Sequence, residues 1–242
     1  MKNSYYIGNW KMNGSKNLVD DYVDILSKKN LPESSKIIIC PPFTLLDYAE
    51  SNFNKMKNIE LGAQNISSVT NGANTGSISA ELVSPYCRYI IIGHSEIREK
   101  GETNKEIQAK LKLCSEYNLI PIVCIGEKIF NKNLDNTLEF VEQQLESIYQ
   151  NINFKNIIIA YEPVWAIGND KFCDPERASK VLEFIHNKAK ILNNQIDTSV
   201  IYGGSVNIDN YKKYLEKQNI NGLLIGRSSL DPQTFYKIIN NS

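Results

Sequence analysis

The sequence predicts a single α/β domain, a (β/α)8 barrel running through residues 1–242. Three observations predict it. Short apolar runs rich in β-branched residues recur about eight times, and patterns of helical period separate them. The length of 242 residues suits eight strand–helix units, which need about 250. No Pro/Ser-rich linker or shift in composition interrupts the series. An open doubly wound sheet has the same periodicity, and periodicity alone leaves both architectures open.

In chain order the strands are expected at Tyr5–Asn9, Lys36–Cys40, Ile59–Ala63, Tyr89–Gly93, Ile120–Ile125, Asn156–Tyr161, Ser199–Gly203 and Leu223–Gly226. Ile37-Ile38-Ile39 and Ile90-Ile91-Ile92 are apolar at every position, as strands covered on both faces of a parallel sheet must be. The helices carry their own start signals. Thr103 and Glu106 form a capping-box pattern ahead of a stripe made of Ile107, Leu111, Cys114 and Tyr117. Asp174-Pro175 and Asp231-Pro232 each read as an N-cap followed by a first-turn proline. After Asp174, apolar residues repeat at Ala178, Val181, Leu182, Ile185 and Ala189, and the neighbouring His186 reads as part of this amphipathic helix.

Composition narrows the function. Hydrophobic residues make up 42% and charged residues 22%, enough to bury a core. Lys plus Arg equal Asp plus Glu at 27 each, which argues against a partner recruited by a strong field, nucleic acid or acidic membrane. The five cysteines, Cys40, Cys87, Cys114, Cys124 and Cys173, are odd in number and form no CxxC pair, so neither a disulfide scaffold nor a zinc site is expected. No charged-then-apolar leader and no membrane-length apolar run is present, and the expected setting is a soluble, cytoplasmic one.

In a parallel barrel, chemistry gathers where strands end. Residues 160–168 read AYEPVWAIG, so the sixth strand ends in a carboxylate, Glu162, followed by the stiff turn Pro163-Val164-Trp165 and the flexible Ala166-Ile167-Gly168. A base at a strand tip beneath a hinged apolar segment can be covered and kept from water. Asn9 and Lys11 follow strand 1 in GNWKMNG, and His94 follows strand 4 in GHSE. A fixed cation, an imidazole and a carboxylate at strand termini make a proton-transfer set, neighbours only if the barrel closes. Gly203-Gly204-Ser205 after strand 7 and Gly226-Arg227 after strand 8 are turns in which backbone N–H groups can converge on a phosphate.

GNWKMNG, GAQN with the loop through GANTGSISAE, GHSE, VCIGE, AYEPVWAIG, IYGGSV and LLIGRSSL together resemble the triosephosphate isomerase family, in the family's order and from end to end. The resemblance implies a homodimeric TIM barrel that interconverts dihydroxyacetone phosphate and glyceraldehyde 3-phosphate without cofactor or metal. It implies Glu162 as the carbon base, His94 as a neutral electrophile, Lys11 as fixed positive charge and Asn9 as a donor to the substrate oxygens. The resemblance also implies Glu96 as a supporting group and the backbone N–H groups of Gly168, Ser205, Gly226 and Arg227 as the phosphate site. It further implies an active-site lid at 163–173 and a dimer-interface loop at 66–77, with Thr75 reaching the Lys11 and Asn13 of a second copy.

Departures from the family pattern are local. The lid reads Asn169-Asp170-Lys171-Phe172-Cys173 in place of a small Thr-Gly-Lys-Thr run, Arg227 replaces a second glycine, and Ile97 replaces an arginine beside Arg98. A positive φ at Arg227 would cost about 1 kcal/mol or more. Two alternatives stay open: another phosphosugar isomerase on the same barrel, and a non-catalytic relative acting as a binding protein. The first, if metal-dependent, calls for more strand-end ligands than two histidines supply; the second calls for loss of Lys11, His94 or Glu162.

Overall fold

Eight parallel strands close on themselves in sequence order in the computed structural model, which describes residues 4–150, 152–168 and 171–240. They are β1 (Ser4–Asn9), β2 (Ser35–Cys40), β3 (Ile59–Ala63), β4 (Tyr89–Ile92), β5 (Ile120–Ile125), β6 (Asn156–Tyr161), β7 (Asp197–Tyr202) and β8 (Gly222–Ile225). Closure comes from β8 pairing with β1, Tyr5 opposite Gly222 through Gly8 opposite Ile225. An open doubly wound sheet is therefore excluded. The joint is tight: a Cβ on Gly222 would lie 2.0 Å from the Tyr5 carbonyl oxygen, so only glycine fits there.

The expected strands stand, with small shifts at their ends. Gly93, Gly203 and Gly226 were expected inside strands; each instead lies just beyond its ladder, where the chain turns out into a loop at the barrel mouth. β7 begins two residues earlier than expected, at Asp197, where it pairs with Asn156 of β6.

The apolar runs separate into two layers by strand alternation. Ile7, Ile38, Ile91, Ile122, Ile158 and Ile201 belong to a cluster inside the barrel, while Tyr6, Ile37, Ile39, Ile90 and Ile92 join a larger cluster that includes the helices. Complete burial of such a side chain is worth about 1.5–3 kcal/mol. This two-sided burial explains why the strands read as unbroken apolar runs.

The helix signals act as expected. Thr103 and Glu106 form a reciprocal capping box on helix Asn104–Glu116. Asp174 caps helix Pro175–Leu192, and the Asp231 carboxylate accepts the Gln233 and Thr234 N–H groups at the start of helix Pro232–Asn240. Tyr117, the C-cap of that helix, is half-buried and packs against the same core cluster as Ile107, Leu111 and Cys114. His186 lies within Pro175–Leu192 and does not border the strand-tip cavity. Among the described residues no helix is long and apolar enough to cross a membrane.

All five cysteines are unpaired and buried. Burial pushes every thiol up, Cys87 and Cys173 to about 12 and Cys40, Cys114 and Cys124 also well above the ordinary range. Since the thiolate is the reactive form, the native protein is expected to resist an aromatic disulfide reagent at about pH 8, and all five thiols are expected to react after denaturation. Rapid labelling of the native protein, read by the absorbance of the released thiolate, would contradict this.

Candidate active site

One cavity of about 960 Å³ opens at the C-terminal ends of the strands. Asn9, Lys11, His94, Glu96, Glu162, Gly168, Ser205, Gly226 and Arg227 all border it. Every site residue predicted from the sequence is thus brought to one place except Thr75, which is exposed on the separate loop after β3. That loop is tied at its base, where the Ser67 N–H donates to the Ile78 carbonyl at 2.7 Å, and residues 71–77 are exposed.

Glu162 follows directly on β6 and is only 2% exposed. Its backbone N–H donates to the Ile125 carbonyl at 2.7 Å, continuing the β5–β6 ladder past the strand end. A Cβ on Gly126 would lie 1.9 Å from the Glu162 carbonyl oxygen, and one on Gly203 would lie 3.1 Å from its Cγ. The carboxylate-bearing residue is therefore wedged between the tips of β5 and β7. Oε2 accepts the Ser95 N–H at 2.9 Å. Oε1 lies 3.2 Å from Nε2 of His94 without an aligned hydrogen bond.

His94 is buried at the start of the short helix Ser95–Arg98. Its Nδ1 accepts the Glu96 N–H at 3.2 Å, so that nitrogen carries no proton and Nε2 is left as the group facing Glu162. Arg98 holds this turn in place: its guanidinium donates to the carbonyls of Gly93 at 2.7 Å and Cys124 at 3.1 Å and to Asn104 at 3.0 Å. Ile97 bears none of these contacts, so the replaced arginine leaves the bracing intact.

Lys11 has φ 53°, a left-handed conformation that costs a residue with a side chain about 1–3 kcal/mol. Its neighbours hold it there. The Lys11 N–H donates to Asn9 Oδ1 at 3.0 Å, and Gln64 Nε2 donates to the Lys11 carbonyl at 2.9 Å. The ammonium lies 2.5 Å from Glu96 Oε1. Partial burial works to raise the Glu96 carboxyl, but the hydrogen bond and charge of Lys11, with His94 and Lys100 nearby, hold it below the usual range.

The glycine turns after β7 and β8 also border the cavity and meet where the Ser228 hydroxyl donates to the Val206 carbonyl at 3.0 Å. The Ser205 hydroxyl donates to the Ala166 carbonyl at 2.6 Å, linking the β7 turn to the segment after Glu162. Arg227 does not have the positive φ considered for it; it opens a short turn, Arg227–Ser229, with ordinary backbone, and its side chain is exposed at the rim. The cost that a positive φ would carry does not arise, because the chain continues as a right-handed turn. Asn169 and Asp170 lie outside the described residues. Phe172 is exposed beside the cavity and Cys173 is buried.

Three contributors escaped the sequence reading. Gln64 holds the Lys11 and Cys40 carbonyls, both at 2.9 Å; a polar residue just past β3, in GAQN, was the available signal. Glu127, past β5 in VCIGE, accepts from Trp165 Nε1 at 2.7 Å and from the Tyr161 hydroxyl at 3.1 Å, and burial raises its carboxyl despite these donors. Ser95 contributes a backbone N–H, for which no side-chain signal exists.

A carboxylate, an imidazole and an ammonium around one cavity, bordered also by two glycine turns, fit proton transfer on a small anionic substrate. Comparison with known proteins points the same way. The family model described as triosephosphate isomerase matches residues 4–242. A triosephosphate isomerase of Aquifex aeolicus is 40% identical over 238 residues, covering 96% of each chain. Those of Blochmanniella floridana and Neurospora crassa are each 38% identical, covering 100% and 99% of this chain and 97% and 99% of their own. With the barrel, the strand-tip set and near-complete coverage in agreement, the chain belongs to the triosephosphate isomerase family.

Proposed function

We propose that the chain interconverts dihydroxyacetone phosphate and D-glyceraldehyde 3-phosphate through an enediolate, and so serves glycolysis and gluconeogenesis. The observation that carries this reading is the buried Glu162 carboxylate set 3.2 Å from His94 Nε2 over the cavity that also holds Lys11. Removing a proton next to a carbonyl requires a base over carbon and donors where charge develops on oxygen.

In this reading Glu162 takes the proton from one carbon and returns it to its neighbour, after exchanging its Ser95 N–H bond for the substrate. His94 presents Nε2 to the carbonyl oxygen and moves protons between the two oxygens; its action as a neutral imidazole follows family precedent. Lys11 supplies positive charge to the enediolate and phosphate, with Glu96 holding the ammonium in place. The Asn9 amide oxygen is engaged by the Lys11 N–H, which leaves its NH₂ to donate to substrate oxygen. Backbone N–H groups of Gly168, Ser205, Gly226 and Arg227 hold the phosphate. The reaction moves protons within one carbon framework, so no redox cofactor or metal is assigned.

Residues 163–173 act as a lid in the same proposal, excluding water while the enediolate exists. Two copies pair through the loop at 66–77, with Thr75 of each completing the other's site. The exposed apolar side chains Met12, Val69 and Leu82, near those elements in sequence, support such pairing. A cytoplasmic location, with no nucleic-acid or membrane partner, is supported by the balanced charge and by five unpaired thiols, which a reducing compartment permits.

Steady-state isomerisation of glyceraldehyde 3-phosphate tests the chemistry. The expected kcat/KM lies within a decade or two of the diffusional ceiling, about 10⁸–10⁹ M⁻¹s⁻¹. Glu162→Gln is expected to lower kcat by about 10²–10⁴-fold or more, and Glu162→Asp to lower it by shortening the reach to carbon. A folded wild type with negligible turnover would sink the reading.

Gly126→Ala should push against the Glu162 backbone and displace the base. The expected cost is about 10²-fold in kcat with a lowered Tm, since catalytic groups tolerate little misplacement. Unchanged kinetics in this variant would mean that the β5–β6 wedge does not position the carboxylate. By sedimentation, the wild type is expected at twice the mass of one chain, and Thr75→Glu should shift it toward the monomer with a parallel loss of activity. A fully active monomer would rule out the shared site.

A further inference from the structure

Tyr214 has no part in the chemistry above, yet it sits at a junction that the chemistry needs. It lies on the short helix Tyr211–Leu215 and is wholly buried. Its ring stacks on that of Tyr202, centroids 4.0 Å apart and planes inclined by 14°. Its hydroxyl donates to the Cys173 carbonyl at 2.6 Å, in a buried hydrogen bond spanning 41 residues of sequence. The two tyrosine hydroxyls are 3.3 Å apart, and the Cys173 backbone also hydrogen-bonds Tyr202.

Tyr202 is the last residue of β7 and leads directly into the glycine turn. A Cβ on Gly204 would lie 2.2 Å from the Tyr202 hydroxyl, so this hydroxyl packs against the turn's own backbone. Ser205 of the same turn holds the Ala166 carbonyl. The β7 turn is therefore tied at two points to the segment proposed as a lid, at Ala166 and at its last residue, Cys173.

We propose that Tyr214 is a positioning residue for phosphate capture, its hydroxyl locking the Cys173 carbonyl to the Tyr202–Ser205 turn so that lid end and phosphate turn stay in register. The proposal rests on the isomerase reading and on the lid at 163–173. Two physical points favour it. A tyrosine is a costly choice for a purely space-filling position, because its hydroxyl must find a partner when buried. The partner found here is a main-chain carbonyl, which positions backbone independently of the side chain at 173. Burial raises the Tyr214 phenol to about 12, so it remains a neutral donor at physiological pH.

The consequence for the reaction is specific. Where water reaches the enediolate site and the phosphate is poorly held, the enediolate charge collapses to a carbonyl, the C3–O bond breaks and phosphate leaves. The remaining enol then tautomerises to methylglyoxal. A loosened phosphate turn should therefore weaken phosphate binding and raise this elimination.

The test is Tyr214→Phe, which keeps the ring stack and removes only the hydroxyl. The expected result is a KM for glyceraldehyde 3-phosphate and an inhibition constant for inorganic phosphate each raised about 3–10-fold, the range one neutral buried hydrogen bond supplies. The inorganic phosphate released per isomerisation should rise with them. Turnover of D-glyceraldehyde, which lacks the phosphate, should stay at the wild-type level. Equal losses with both substrates would mean that Tyr214 only supports the fold, and would overturn the proposal. So would kinetic constants and phosphate release within two-fold of wild type. The wild type run alongside separates the failures: an inactive wild type overturns the isomerase reading itself, whereas an active wild type indistinguishable from Tyr214→Phe overturns only the role of Tyr214.

Discussion

The β8–β1 ladder is the constraint from which the functional geometry follows. Lys11, His94 and Glu162 come from the ends of β1, β4 and β6, and the glycine turns from β7 and β8. In an open sheet the tips of β1 and β8 would stand at opposite edges. Closure depends on backbone hydrogen bonding between strands far apart in sequence, and on Gly222 permitting β8 to approach the Tyr5 carbonyl. Once the ring closes, residues spread over some two hundred positions share one cavity. Its sealed interior of interlocking isoleucines leaves the strand tips as the place where polar groups can reach solvent and substrate.

Around that cavity the protein accepts local costs. A buried carboxylate at Glu162 is expensive to desolvate, and it is met by the Ser95 N–H, the Cys124 thiol and the imidazole edge of His94, with the Arg98 charge nearby. Lys11 sits in a left-handed backbone conformation rarely taken by residues other than glycine. Both are sustained by neighbours whose own positions are overdetermined. Arg98 ties the His94 turn to β5, Gln64 ties β3 to the loop after β1, and the tips of β5 and β7 clasp Glu162. Rigid strands thereby carry the polar groups of the cavity, while the segment after β6 is anchored through Trp165, which donates to Glu127, and Tyr214, which donates to the Cys173 carbonyl.

Much of this was legible in the chain. Ile37-Ile38-Ile39 and Ile90-Ile91-Ile92 announce strands because two-sided burial removes the need for alternation. Thr103 with Glu106 announces a helix start because the cap is formed within four residues. That Asn9, His94 and Glu162 would gather at the strand tips was readable because each is a polar group placed where an apolar run stops. Other features left no such trace. Gln64 and Glu127 are polar residues at equivalent stops, but their roles depend on which carbonyl or indole happens to face them. The ordinary φ at Arg227 was hidden as well, since a glycine-to-arginine change is compatible with either hand of turn until the backbone is seen.

The sequence by itself determined the repeat of strand and helix, the caps, and which polar residues stand at the strand ends, because these rest on contacts within a few residues or on the two-sided apolar runs of a covered sheet. Tertiary structure alone decided that the sheet closes, that Glu162 faces His94 at 3.2 Å, that Lys11 pairs with Glu96 across 85 residues, and that Tyr214 reaches Cys173. Those are encounters between distant segments. Their distances are set by barrel closure and side-chain packing, which no local pattern encodes.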